Sequence, residues 1–498
     1  MIVDHKRSSV CILTAMACAT LGGCSSSDTS GGAGPDAGPS ATPVTMAATC
    51  SDSIDSIYAD PGTLPADNGA VIRCAADGQL DVATLQSRLQ DVGYVGPAPR
   101  SSARVYRVLY RTERGDDSPG TSSALVYLPD VPPAEQLPTL VASHGSRGQA
   151  AVCAPSRDDP AAAYVQPDFE RQVLPFVAAG YAVIAPDLPG YANYGATGNP
   201  PSAYASAAEA AHATLDATRA MAKLVPDRID GDVVLIGHSL GGHTALSALA
   251  LSGDYGLAGT ITAVAVYAPL WLSQRTWGAL FTVAQNYPIA TSPGPNAVSV
   301  WYHYTQAELL DGAGQGQTPF VQAKRAAIKD FVDNVCWSES YPALEALGTN
   351  AKDLFDQTFR DAIGPSATAG VACPTTEPGK TICETWIARY IADRPHITAP
   401  ATEVPILIVY GGLDDTLPPD RMQCALDRLQ QDGATLSYCY DPAGTHGEIP
   451  AMQGQYAVGW VGAQALGIPN LATCPSTEIT LVDGNGQPVQ CASLPPND

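Results

Sequence analysis

Apolar positions along the chain fall into two kinds of short block. Over Arg104–Arg111 and Ser123–Leu128 apolar and polar residues alternate, which is the period of a strand covered on one face. Thr139–His144, Tyr181–Pro186, Val233–Ile236, Ile261–Val266 and Val404–Tyr410 are instead nearly unbroken apolar runs that stop at turn residues. Strands buried on both faces read this way. A last strand is expected over Thr435–Tyr440. Helix-like stretches lie between these blocks, notably Tyr204–Leu224 and Leu240–Leu251. Buried strands alternating with helices predict an α/β fold, a mostly parallel, doubly wound sheet with helices on both faces.

The alternation stops near Leu270 and resumes near Thr402. The simplest account is a largely helical cap inserted between two strands. Of the 13 Trp and Phe in the chain, ten lie in 271–386, so this insert can pack a core of its own and can also offer an apolar inner face. The expected organisation is core over 50–270, cap over 271–400, core again over 401–465 and a tail over 466–498.

Composition narrows the class. The chain has 498 residues, 26 Lys+Arg against 49 Asp+Glu, and a net charge of −23. Clustered basic residues are missing, which excludes a nucleic-acid binder. Beyond the extreme N-terminus no apolar run reaches the ~20 residues a membrane-spanning helix needs. Residues 1–24 read as a signal peptide: Lys6 and Arg7, an apolar stretch Val10–Leu21, then Leu21-Gly-Gly-Cys24. That ending is similar to a bacterial lipobox, so Cys24 is a candidate lipid attachment point and a route to the membrane. A plain secretory signal cut near Ala17 or Ala19 is the alternative. Residues 25–49 are rich in Ser, Gly, Ala, Pro and Thr and are expected to form a flexible tether. Export to the cell envelope or the medium follows. Ten cysteines remain after Cys11, Cys18 and Cys24, an even number that suggests up to five disulfides. Cys50/Cys74, Cys373/Cys383 and Cys474/Cys491 are plausible local pairs. The spacings that hold zinc are absent, and no metal or organic cofactor is implied.

Candidate chemistry begins at Gly237-His-Ser-Leu-Gly241. The pentapeptide G-x-S-x-G is common by chance. Its position is not: it follows a buried strand and opens an Ala- and Leu-rich helix, the setting of a nucleophile elbow. Ser239 is therefore the candidate nucleophile. A serine hydroxyl needs a base. His446 sits in Asp441-Pro-Ala-Gly-Thr-His-Gly447, a loop after the last expected strand, where an open α/β sheet carries its chemistry. His238 would point away from the Ser239 hydroxyl, and His212, His243, His303 and His396 have no strand-end setting. The acid should come from Gly411-Gly-Leu-Asp-Asp-Thr-Leu-Pro418, with Asp414 or Asp415 fitting and Asp414 preferred. The candidate oxyanion donors are the backbone N–H of Leu240 and, from His144-Gly-Ser-Arg-Gly148, that of Ser146 or Arg147.

With these motifs in order, the chain resembles the α/β-hydrolase fold and, more narrowly, the secretory lipase family of fungi and bacteria. Cys153-Ala-Pro-Ser156, Gly180–Asp187 with Gly190, and Ala213–Arg219 are similar to successive blocks of that family, and Asp414 with Pro418 matches its acid motif. The resemblance covers roughly residues 55–465. It implies hydrolysis of carboxylic esters, small or lipid, through an acyl-enzyme, beneath a cap. It also implies a Cys153–Cys336 disulfide between the loop and the cap. The elbow Gly-His-Ser-Leu-Gly-Gly departs from the family in being shared with many hydrolases. The Ser, Asp, His set would equally serve a peptidase or amidase, and the fold can also be kept for binding alone.

Overall fold

The computed structural model describes residues 41–132, 134–157, 167–192, 199–482, 485–489 and 491, which fall in one unit beginning at Ala41. The expected export segment with Cys24, and most of the tether, lie outside the described residues. Among the described residues no helix is long and apolar enough to cross a membrane.

Nine strands form one sheet: β1 (Val71–Leu80), β2 (Ala103–Glu113), β3 (Pro119–Pro129), β4 (Leu137–Ser143), β5 (Ala182–Pro189), β6 (Ile229–His238), β7 (Thr260–Tyr267), β8 (Pro405–Gly411) and β9 (Thr435–Asp441). Their order is β1-β2-β3-β5-β4-β6-β7-β8-β9. The pairs from β5 to β9 are parallel, and β1, β2 and β3 join antiparallel at one edge. The unbroken apolar runs have a direct cause. Along β4, β6, β7 and β8 successive side chains enter opposite cores: Val141, Leu235, Val264 and Ile408 on one face, Leu140, Val234, Ala263 and Leu407 on the other. The first face is covered by helices Ala207–Leu224 and Leu240–Tyr255, the second by Val82–Asp91, Pro167–Ala179 and Gly454–Ala465.

Between β7 and β8 the described chain is helical, with long elements at Gln274–Thr282, Pro293–Leu310, Gln357–Ala369 and Gly379–Ala392. The insert has its own aromatic core. His303 is enclosed there by Trp277, Phe281, Phe355, Phe359 and Trp386, and its Nε2 meets the Tyr390 hydroxyl at 2.7 Å. Burial pushes this imidazole down to about 3, so it stays neutral.

Two expectations need correction, and one strand lies outside those expected. Residues 41–49, assigned to the tether, run along the core: Val44 is buried, Thr42 bridges Val131, and Ala47 N–H donates to Leu224 O at 2.8 Å. Two apolar side chains, Val44 and Met46, are enough to dock a segment that reads as low-complexity. Strand β1 carries no clean alternation, as bulges break its period near Val71/Arg73 and Ala76/Gly78. Finally, Cys474 does not pair with Cys491. The disulfides are Cys50–Cys74, Cys153–Cys336, Cys373–Cys383, Cys424–Cys491 and Cys439–Cys474. The last two fasten the tail to the core, where Tyr440 and Ser476 also bridge.

Candidate active site

Ser239 stands between β6 and the helix Leu240–Tyr255, with φ 56° and ψ −119°. A non-glycine residue at positive φ is strained and needs surroundings that hold it. They do: Ser239 N–H donates to Tyr267 O at 2.9 Å, and Ser239 O accepts from Leu270 N–H at 2.8 Å. The two flanking glycines are required by contact. A Cβ on Gly237 would land on the Gly241 carbonyl, and one on Gly241 would land on the Ser143 carbonyl.

Asp414 and His446 come from the loops after β8 and β9. His446 Nδ1 and Asp414 Oδ2 are 2.8 Å apart. Asp414 Oδ1 accepts from Thr416 N–H at 2.9 Å and Leu417 N–H at 2.7 Å, and the carboxylate is fully buried. Asp415 is exposed, and Thr416 Oγ1 donates to it at 3.3 Å. The two loops are tied together, Leu413 N–H donating to Gly444 O at 2.9 Å. Ser239 and His446 line the same cavity, of about 590 Å³. The Ser239 hydroxyl is not hydrogen-bonded to the imidazole in this structure, a link that often tightens only when substrate binds.

Leu240 is the first helical residue after Ser239, and its N–H has no intrahelical acceptor. Ser146 lines the cavity beside Ser239, and among the described residues nothing accepts from its N–H. In the neighbouring Arg147 the side chain is buried with the guanidinium over the Phe169 ring, and the carbonyl accepts from Trp337 N–H at 2.9 Å. The loop carrying Ser146 is held from several sides. Tyr191 hydroxyl donates to Gly148 O at 2.5 Å, His144 Nε2 faces Asp187 O at 3.1 Å, and the Asp187 carboxylate accepts from Ser156 N–H at 2.7 Å. The Cys153–Cys336 bridge joins this region to the cap, beside Trp337.

Other residues support the site without any motif of their own. His238 Nε2 donates to the His446 carbonyl at 2.9 Å, and the two rings pack with centroids 4.6 Å apart. It lines the same cavity as Ser239 and holds the histidine loop. Tyr204 hydroxyl bonds Ser146 Oγ at 2.7 Å, and Arg171 Nη1 donates to Gly447 O at 2.5 Å. Only a folded chain could reveal these, because each works through a residue far away in sequence.

The strand order, the strained serine after β6 and the loops after β8 and β9 define an α/β hydrolase. A family model described as "Alpha/beta hydrolase family" matches residues 140–451, well over half of the chain, and the chain belongs to that family. No curated protein sequence matches it. Among solved structures it is similar to the rice cell wall degrading esterase LipA from Xanthomonas oryzae, at 16% identity and TM-score 0.59, covering 81% of this chain and 99% of that one. It is also similar to Candida antarctica lipase A, at 15% identity and TM-score 0.58, covering 87% and 90%. At these identities the likeness is one of fold.

Proposed function

We propose that the protein is a serine hydrolase of carboxylic esters that works through an acyl-enzyme. The observation carrying this reading is a serine at positive φ sharing one cavity with an imidazole whose far nitrogen is bonded to a buried carboxylate. Bonding of Nδ1–H to Asp414 leaves Nε2 of His446 as the basic nitrogen. Nε2 takes the Ser239 proton as Oγ attacks the ester carbonyl. The N–H groups of Leu240 and Ser146 receive the oxyanion. His446 then returns the proton to the departing alcohol, and a water repeats the sequence to release the acid. The apolar, tryptophan-rich wall beside Ser239 favours an ester over a peptide.

Export belongs to the same reading. Five disulfides support an oxidising compartment. Cys24 is the proposed lipid attachment point, and the mass of the mature N-terminal peptide decides between a lipidated and a plain end. For the activity, the test is hydrolysis of p-nitrophenyl butyrate. The wild type should turn it over, and Ser239→Ala should lose at least about a thousandfold in kcat. Activity retained in that variant would overturn the assignment.

A further inference from the structure

Two cavities meet at Ser239. The larger, about 590 Å³, has a mixed wall that includes His446, Thr445, Glu448 and Arg171 as well as Trp337 and Tyr341. The smaller, about 170 Å³, lies under the cap against Trp271, Leu272, Trp277, Leu280 and Val298, and His446 takes no part in its wall. The proposed reaction assigns each a substrate half. The departing alcohol must accept a proton from His446 Nε2, so it occupies the side where that imidazole is exposed. The acyl group projects from the same tetrahedral carbon toward the other side, into the small apolar cavity.

On one side the small cavity is bounded by a shared partition. Trp271, Thr276, Tyr287, Asp420 and Arg421 line it, and the same residues also line a third cavity of about 460 Å³ beyond. Across the partition the Arg421 guanidinium donates to Thr276 Oγ1. Arg421 stands on the core helix Pro419–Gln431 and Thr276 on the cap helix Gln274–Thr282, so one side chain spans the seam between core and cap. An apolar cavity of ~150 Å³ holds a benzene-sized molecule, so the inner space takes an acyl chain of roughly six carbons.

Building on the esterase reading, we propose that the protein is selective for short acyl chains, that these enter the cavity beneath Trp271 and Trp277, and that the Arg421–Thr276 contact sets the length limit. Longer chains are refused because their ends would have to displace a hydrogen-bonded guanidinium. Opening the partition joins the inner cavity to the one beyond.

The test is a p-nitrophenyl ester series from acetate to palmitate with the full chain. For the wild type, kcat/KM should be highest near butyrate and hexanoate and fall by decanoate. Arg421→Ala should raise the decanoate-to-butyrate ratio about tenfold, the gain expected from housing two further methylenes. Gly294→Phe should move selectivity the other way, lowering the hexanoate-to-acetate ratio. Gly294 lines the inner cavity, and a Cβ there meets nothing nearer than the Tyr341 hydroxyl at 3.6 Å, so a side chain can be added beside that space. Palmitate cleaved as fast as hexanoate by the wild type would overturn the proposal, as would unchanged ratios in both variants. Failure of the esterase reading looks different: no ester of the series is cleaved, or cleavage outlives Ser239→Ala.

Discussion

Asp414 and Asp415 are adjacent and chemically identical, yet only one can hold an imidazole. Asp414 has one oxygen on two backbone N–H groups and the other on His446, all inside the protein. Asp415 is exposed and lines the larger cavity. An asparagine at 414 can still accept from the two N–H groups, but its amide offers a donor to His446 Nδ1 and favours the wrong tautomer. Asp414→Asn should therefore lower kcat by about a thousandfold or more, while Asp415→Asn should stay within a few-fold of wild type in ester hydrolysis. The reverse ranking would move the acid to 415. From the sequence both carboxylates fit the loop, because position along a loop does not by itself say which carboxylate turns inward, and Asp414 is preferred because its spacing to Pro418 matches the acid motif of the family the chain resembles. Ser239 and His446 were easier to read, since a strand, a tight turn and a following helix or loop leave a local signature. His238, Tyr204 and Arg171 left none, as each acts by packing or bonding across the fold.

At the scale of elements, the cap is held to the core by a few polar contacts as well as by apolar packing. Asp393, the C-cap of helix Gly379–Ala392, is the busiest. Its carboxylate accepts from Ala207 N–H at 2.9 Å, Tyr302 hydroxyl at 2.7 Å and Gln306 Nε2 at 2.8 Å, and its carbonyl meets His243 Nε2 at 2.7 Å. Burial pushes this carboxyl up to about 7, with Glu209 adding to the rise and Arg389 opposing it. Burial also pushes His243 down to about 4, so the imidazole beside it is neutral at pH 7. The sign follows from proton counting. Between pH ~4 and ~7 folded Asp393 keeps a proton that the unfolded chain has lost, so its contribution to stability falls as pH rises through that window. Urea titrations of wild type and Asp393→Asn should show the wild-type advantage shrinking from pH 4 to pH 7 and levelling above. An advantage that stays constant, or grows with pH, would contradict this. Element types were largely legible wherever periodicity was clean, as in β4, β6, β7 and β8. Legibility failed at β1, where bulges disturb the period, and at residues 41–49, where tertiary burial of Val44 overrides a low-complexity composition.

For the whole molecule, the order of the sheet explains why residues so far apart in sequence converge. Parallel strands all end on one side, so the loops after β4, β6, β8 and β9 share one edge, and the insert after β7 roofs it. The same topology leaves two cavities at the serine, one lined by His446 and one under the tryptophans of the cap. Cysteine pairing belongs to this scale too, which is why Cys424–Cys491 and Cys439–Cys474 could not be inferred from nearness in sequence. The most direct test of that convergence is covalent labelling with a fluorophosphonate, followed by mass spectrometry of the peptides. One adduct per chain is expected, on Ser239, with labelling abolished in Ser239→Ala and strongly slowed in His446→Ala. An adduct on another residue, or labelling at undiminished rate without His446, would contradict the account.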